Sequence, residues 1–207
     1  MTSIQGNELI QQNEAVHENA PMNAEAVYST LAELFDRFGD EQYGEDVTQR
    51  QHMLQCAFLA EQDGESDDIV VACLLHDVGH FVGPQDAELK ASGTPDEDFK
   101  HEVLGAQFLK PYFGKEITVP IQLHVAAKRY MSAVKEDYFD SLSDASKHSL
   151  GLQGGPFTQE QVTGFEQGEY FVNAIKVRYY DDYGKQVGLE IPDFDYYKSR
   201  ILKLVSL

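Results

Sequence analysis

The sequence predicts an all-α, single-domain fold. Three observations carry this reading. Apolar residues recur at helical spacing along most of the chain, strand-type alternation is nearly absent, and there is no internal repeat or low-complexity segment. A chain of 207 residues with 42% apolar content is long enough to bury one sizeable core.

The elements follow in order. Residues 1–22 read as a polar tail closed by Pro21. Asn23 is placed to cap a first helix, in which Val27, Leu31, Leu34, Phe35 and Phe38 share a face, and Gly39 ends it. A loop over 39–47 leads to Thr48, which can cap a second helix carrying His52, Gln55, Cys56, Phe58 and Leu59 as far as Gly64. Ser66-Asp67-Asp68 opens a central apolar helix expected to stop at Gly79. Residues 81–98, with Gly83-Pro84 and Gly93-Thr94-Pro95, form a loop of the length often used as a lid. Helices are expected from about Asp98 to Phe113 and from about Ile117 to Arg129. Two helical pieces flank Ser141–Ser143, and Gln153-Gly154-Gly155-Pro156 makes a turn. Thr158 opens another helix, residues 169–181 a further one, and Asp193 to Leu207 closes the chain.

Composition excludes several function classes. The net charge of −19 argues against a broad nucleic-acid footprint, so any anion must be gripped by a few local cations. No run of about 18 apolar residues is present, so no membrane span is expected. Met1 to Pro21 lacks the basic-then-apolar pattern of a signal peptide, which makes the cytoplasm the expected compartment. Cys56 and Cys73 read as small buried hydrophobes rather than a disulfide.

Chemistry concentrates in Cys73-Leu74-Leu75-His76-Asp77-Val78-Gly79-His80. In a continuous helix His76, Asp77 and His80 would share one side, and unpartnered burial of such groups costs several kcal/mol, roughly. In chain order the ligand-type residues are His52, His76-Asp77, His101, His124 and Asp181, each on a different expected helix, which is how bundles assemble metal sites. Of seven histidines, these four and His80 fall in apolar helical patterns; His17 and His148 do not. Four imidazoles and two carboxylates can hold two metals, with Asp77 bridging. Imidazole-rich sites suit Fe, Zn, Ni or Cu better than Mg or Ca. Two imidazoles per metal with carboxylate and open positions resembles the non-haem iron pattern, with Mn and Zn as alternatives. Lys128, one turn after His124, and Arg178, three residues before Asp181, would set two positive charges beside the metals and call for an anionic ligand.

The order His…His-Asp…His…His…Asp resembles the HD-domain superfamily. The runs Tyr43-Gly44-Glu45, Gln55-Cys56-Ala57, Leu74 to His80, His124 to Tyr130, Leu142 to Ser146 and Gln153 to Pro156 are similar to the PhnZ type of oxygenase within it. The likeness covers roughly residues 42–200. It implies a helical bundle over 23–207 with a central dimetal site, holding a mixed-valent Fe(II)/Fe(III) pair and using O2 to cleave the carbon–phosphorus bond of a small anionic 1-hydroxyalkylphosphonate. It further implies that His52, His76, Asp77 and Asp181 hold one iron, and that Asp77, His101 and His124 hold the other. His80, Lys128, Ser146 and Arg178 match positions that grip the phosphonate, and Glu45 matches an acidic residue that reads a substrate amine. The family also places an iron-capping tyrosine three residues before that glutamate. Here that position is Gln42, and Tyr43 stands two before Glu45, as the residue left to act as the gate. The alternative from another reaction class is a metal-dependent HD-domain phosphohydrolase, in which metal-activated water attacks a phosphate ester.

Overall fold

The computed structural model describes residues 23–42, 45–83 and 100–206. The polar tail, Tyr43 and most of the expected lid loop lie outside them. Helices α1 (Ala24–Phe38) and α2 (Gln49–Gln62) begin where their caps predict. Asn23 accepts the Ala26 N–H at 2.9 Å. Thr48 and Gln51 form a reciprocal capping box, at 3.2 and 3.0 Å.

The core is built on α3 (Asp67–Leu75), whose residues from Ile69 to Leu75 are all buried. A helix apolar all round must be wrapped on every side. It is covered by α2, by α6 (Lys115–Val134), by α10 (Phe171–Tyr183) and by the C-terminal α11 (Lys198–Leu204), which also returns to α1. Between them lie α4 (Gly79–Val82), α5 (His101–Leu109), α7 (Tyr138–Ser141), α8 (Asp144–Leu152) and α9 (Gln159–Glu166). A 3₁₀ turn, Phe194–Tyr197, precedes α11. A smaller cluster of Met131, Tyr138, Leu142 and Leu150 fixes α7 and α8 beside α6. Among the described residues the one β-type pairing is an isolated bridge between Phe113 and Val205. The all-α reading therefore holds, and both cysteines are free and buried, as expected.

One boundary differs in a way that matters. The central helix does not run to Gly79 but ends at Leu75. The next turns tighten to i→i−3 bonds: Val78 N–H to the Leu75 carbonyl at 3.1 Å, and His80 N–H to the Asp77 carbonyl at 2.9 Å. His76 also turns its Nδ1 onto the Cys73 carbonyl at 2.8 Å. The break does not part the three side chains: Asp77 Oδ2 lies 3.5 Å from His76 Nε2, and ligand atoms of Asp77, His80 and His101 lie within 4.8 Å of one another. The helices expected to start near Asp98 and Ile117 begin at His101 and Lys115.

The corner is held by a main-chain contact. A Cβ on Gly79 would lie 1.8 Å from the carbonyl oxygen of His101, and one on Gly105 would lie 3.0 Å from the Gly79 nitrogen. Gly79→Ala must push α4 off α5, and overpacking of this kind costs about 3 kcal/mol. The expected result in a thermal melt is a Tm lowered by about 6–12 °C.

Candidate metal centre

Four helices and the corner bring six side chains together. His52 comes from α2, His76 and Asp77 from the corner after α3, His101 from the first turn of α5, His124 from α6 and Asp181 from α10. All but His101 are buried, and the His101 side chain is only 13% exposed.

The imidazoles form two pairs. His52 Nε2 lies 3.1 Å from His76 Nε2, and His101 Nε2 lies 3.1 Å from His124 Nε2. Asp77 stands between the pairs with one oxygen turned to each. Its Oδ2 lies 3.6 and 3.5 Å from the Nε2 atoms of His52 and His76. Its Oδ1 lies 3.3 and 3.7 Å from those of His101 and His124. Asp181 Oδ1 joins the first pair only, 3.4 Å from His52 Nε2 and 4.0 Å from His76 Nε2.

Hydrogen bonding on the far side of the rings fixes what these distances mean. His52 Nδ1 faces the Gly184 carbonyl at 2.9 Å, His76 Nδ1 the Cys73 carbonyl, and His124 Nδ1 the Ile121 carbonyl at 2.7 Å. A carbonyl only accepts, so each Nδ1 carries a proton and each ring, when neutral, presents an Nε2 lone pair. With both rings neutral, His52 and His76 aim two lone pairs at each other inside a buried cluster, so the pair calls for a cation between them, a proton or a metal ion. Nitrogens bonded to one ion at about 2.0–2.1 Å come to lie about 3 Å apart. The backbone bonds on Nδ1 are the outer support that orients ligand imidazoles. The donor set therefore fits two cations, with Asp77 facing both.

Electrostatics agree. Burial pushes the Asp77 carboxyl up, but His76 and the other imidazoles outweigh it and hold the carboxyl well below the usual range. For Asp181 burial is outweighed by Arg178, His52 and Lys185. Both are anionic. Burial lowers His76, and burial with His101 lowers His124 well below an ordinary histidine. Burial opposes a charge on His52, but Cys56 and Asp181 push its pKa well above the ordinary value, so the cluster favours a positive charge between His52 and His76, the place of a proton or of a metal ion. Cys56 itself is no ligand in this arrangement. Burial raises its pKa, its Sγ–H donates to the Tyr180 carbonyl at 3.3 Å, and it sits 3.7 Å from the Nδ1 side of His52.

The other predicted residues among those described lie around the cluster. His80 stacks on His101 with ring centroids 4.2 Å apart and an interplanar angle of 16°. Burial and His101 push its pKa down to about 3, so it is neutral. Lys128 is 4% exposed and its Nζ donates to Ser149 Oγ at 2.7 Å. No carboxylate among the described residues lies within ion-pairing distance of it, and burial followed by Arg178 lowers its pKa to about 8. Arg178 is tied inward: Nη1 to Asp181 Oδ2 at 2.7 Å, Nε to the Tyr138 hydroxyl at 3.0 Å and Nη2 to Asp182. Three of its five N–H donors are so used. Ser143 caps α8 by accepting the Ser146 N–H at 3.1 Å, and its own hydroxyl donates to Glu45 Oε1 at 2.7 Å. The Gln153–Pro156 turn, with Gly154 and Gly155 at φ 94° and 69°, is pinned to α6 by Arg129.

Sequence reasoning missed Lys185, whose Nζ lies 2.8 Å from Glu45 Oε1, 3.1 Å from Ser146 Oγ and 3.9 Å from Asp181 Oδ1. Burial works against its charge, but Asp181 and Glu45 more than offset this. It lies beyond the end of α10 at Tyr183, in a connection whose local pattern gives no signal for it. Ser149, on α8, was missed too. No helix among the described residues is long and apolar enough to cross a membrane.

Comparison with known proteins places this centre. The HD-domain family model matches residues 50–160. The chain is 43% identical over 187 residues to the [1-hydroxy-2-(trimethylamino)ethyl]phosphonate dioxygenase (glycine-betaine-forming) of Leisingera caerulea, covering 89% of this chain and 93% of that protein. It is 42% identical over 173 residues to the hydroxymethylphosphonate dioxygenase of Gimesia maris, covering 84% of this chain and 85% of that one. With paired imidazoles facing a shared carboxylate inside a helical bundle, and relatives of this kind over most of its length, the chain belongs to the HD-domain family and, within it, to the PhnZ-type phosphonate dioxygenases, metal-dependent oxidoreductases that use O2.

Proposed function

We propose that the protein is a di-iron dioxygenase that cleaves the carbon–phosphorus bond of a small 1-hydroxyalkylphosphonate, giving a carboxylic acid and phosphate. The observation that carries this reading is the division of Asp77, one oxygen to each imidazole pair. His52, His76, Asp77 and Asp181 hold one iron; Asp77, His101 and His124 hold the other. A nitrogen-rich set with carboxylate and room for exogenous ligands suits redox-active iron. When bound, the pair supplies a mixed-valent Fe(II)/Fe(III) centre for the oxidation by O2.

The overall change balances without a reductant. R–CH(OH)–PO3H2 plus O2 gives R–COOH plus H3PO4, with one oxygen atom ending in each product. The protein's own groups bind and orient the substrate. Lys128, a buried ammonium facing no carboxylate, takes the phosphonate, and Ser146 and neutral His80 add hydrogen bonds to its oxygens. Arg178 fixes Asp181 and has N–H donors left for the same anion. Enclosure keeps these charges strong by excluding water. Tyr43 is the proposed gate and lies outside the described residues.

Dioxygen consumption should match phosphate release one for one, from hydroxymethylphosphonate or a 2-amino-1-hydroxyethylphosphonate, in protein carrying two irons per chain with an EPR signal of the mixed-valent pair. Phosphate release from phosphate esters under strict anaerobiosis would instead establish hydrolysis. A pH profile tests Lys128 separately. Its folded-state pKa of about 8 is below the ordinary value, so the ammonium is present below pH 8 and lost above it. KM is expected to rise as pH climbs through about 8, and Lys128→Arg, which keeps its charge, is expected to remove that rise. A KM flat to pH 10 in the parent enzyme would contradict the assignment.

A further inference from the structure

The two relatives part on one chemical point. One is named for a substrate carrying a trimethylammonium group and the other for hydroxymethylphosphonate, and their identities to this chain are 43% and 42%. Overall likeness does not choose between a cationic and an uncharged substituent, but the charges beside the metal centre bear on the choice.

An ammonium group on a substrate is received most directly by a carboxylate that no protein cation already matches. Asp77 and Asp181 face the imidazole pairs, and Asp181 and Asp182 also hold Arg178. Beside Ser146 and Asp181 a further carboxylate, Glu45, meets Lys185, and its Oε1 is already matched. Its Oε1 accepts from Lys185 Nζ at 2.8 Å and from Ser143 Oγ at 2.7 Å. The pair is largely enclosed, with the two side chains 16% and 20% exposed. Lys185 is anchored on its other side by Ser146 and Asp181.

We infer that Lys185 is a specificity-determining residue: as the built-in counter-ion of Glu45 it occupies the place a substrate ammonium would need, so the site selects 1-hydroxyphosphonates whose substituent is uncharged. The inference rests on the phosphonate reading above. A cationic substituent would have to compete with Lys185 for Glu45 and add a positive charge beside Lys185 and Arg178, whereas an uncharged one does neither. Breaking one half of a buried pair is the costly step, since the other charge stays behind.

The test is equilibrium binding to the metal-loaded enzyme of two unreactive analogues lacking the 1-hydroxyl, ethylphosphonate and 2-aminoethylphosphonate, by calorimetry at pH 7.5. The parent protein is expected to bind ethylphosphonate at least about tenfold more tightly, the scale of one unfavourable charge contact. Lys185→Met frees Glu45 and is expected to shift the ratio at least about tenfold toward the amine. Lys185→Arg is expected to keep the parental preference. If Lys185→Met does not fold, the double variant Lys185→Met, Glu45→Gln buries neither charge and is expected to bring the two affinities together. Equal or reversed affinities in the parent would overturn the inference. So would a Lys185→Met variant, or the double variant in its place, that weakens both ligands with the ratio unchanged. Binding is read without turnover, so a protein that binds in this order yet consumes no dioxygen would overturn the dioxygenase chemistry and leave the selectivity standing.

Discussion

Asp77→Ala is expected to empty both halves of the metal centre at once. Each oxygen of this carboxylate faces a different imidazole pair, so its removal strips an anionic ligand from both. On the di-iron proposal, elemental analysis should fall from two irons per chain to a small fraction of one. Phosphate release should drop at least about 100-fold, since even changes one layer outside a metal's ligands cost about 10–100-fold. The helices do not depend on this side chain, so the far-UV circular dichroism should match the parent. A variant that kept one full iron per chain would show that the two positions fill independently, contrary to a shared bridge.

Arg178→Met is expected to give the largest loss of stability. Its guanidinium is buried among Asp181, Asp182 and the Tyr138 hydroxyl. Removing it strips Asp182 of its cation and leaves Asp181 with only the more distant Lys185, and breaking a buried pair costs about 3–5 kcal/mol. For a domain of this size that lowers Tm by about 6–20 °C. Adding Asp182→Asn should restore part of the Tm, because one stranded charge is gone. It should not restore metal loading, because Asp181 still lacks the contact that orients it. A Tm within about 3 °C of the parent in Arg178→Met would contradict this account.

Much of this was legible in the sequence. Ligand-type residues on five separate apolar segments announced an internal polar cluster, and the caps at Asn23, Thr48 and Thr158 gave helix starts to the residue. What stayed hidden was set by tertiary packing. Nothing local ends the central helix at Leu75; the break comes from the seating of Gly79 against the His101 carbonyl, a partner outside α3 and α4. Lys185 sits in a connection with no periodicity to flag it, and its meaning appears only when α8 carries Ser143 and Ser146 across to Glu45. Arg178 reads from the sequence as a substrate cation, whereas the fold also ties it to Asp182 and Tyr138, one turn on and on a different helix.

The seam at Gly79 and Gly105 has a bearing on how such a centre can diversify. One imidazole pair draws on the corner just before Gly79, and the other draws on the helix that Gly79 abuts. Their separation is therefore gauged by touching peptide groups and not by the reach of side chains. Residues lining the mouth, such as Glu45 and Lys185, hang from other segments and can be exchanged without altering that gauge. Exchanges at that mouth can therefore alter which substrate fits while the spacing of the two imidazole pairs stays as it is.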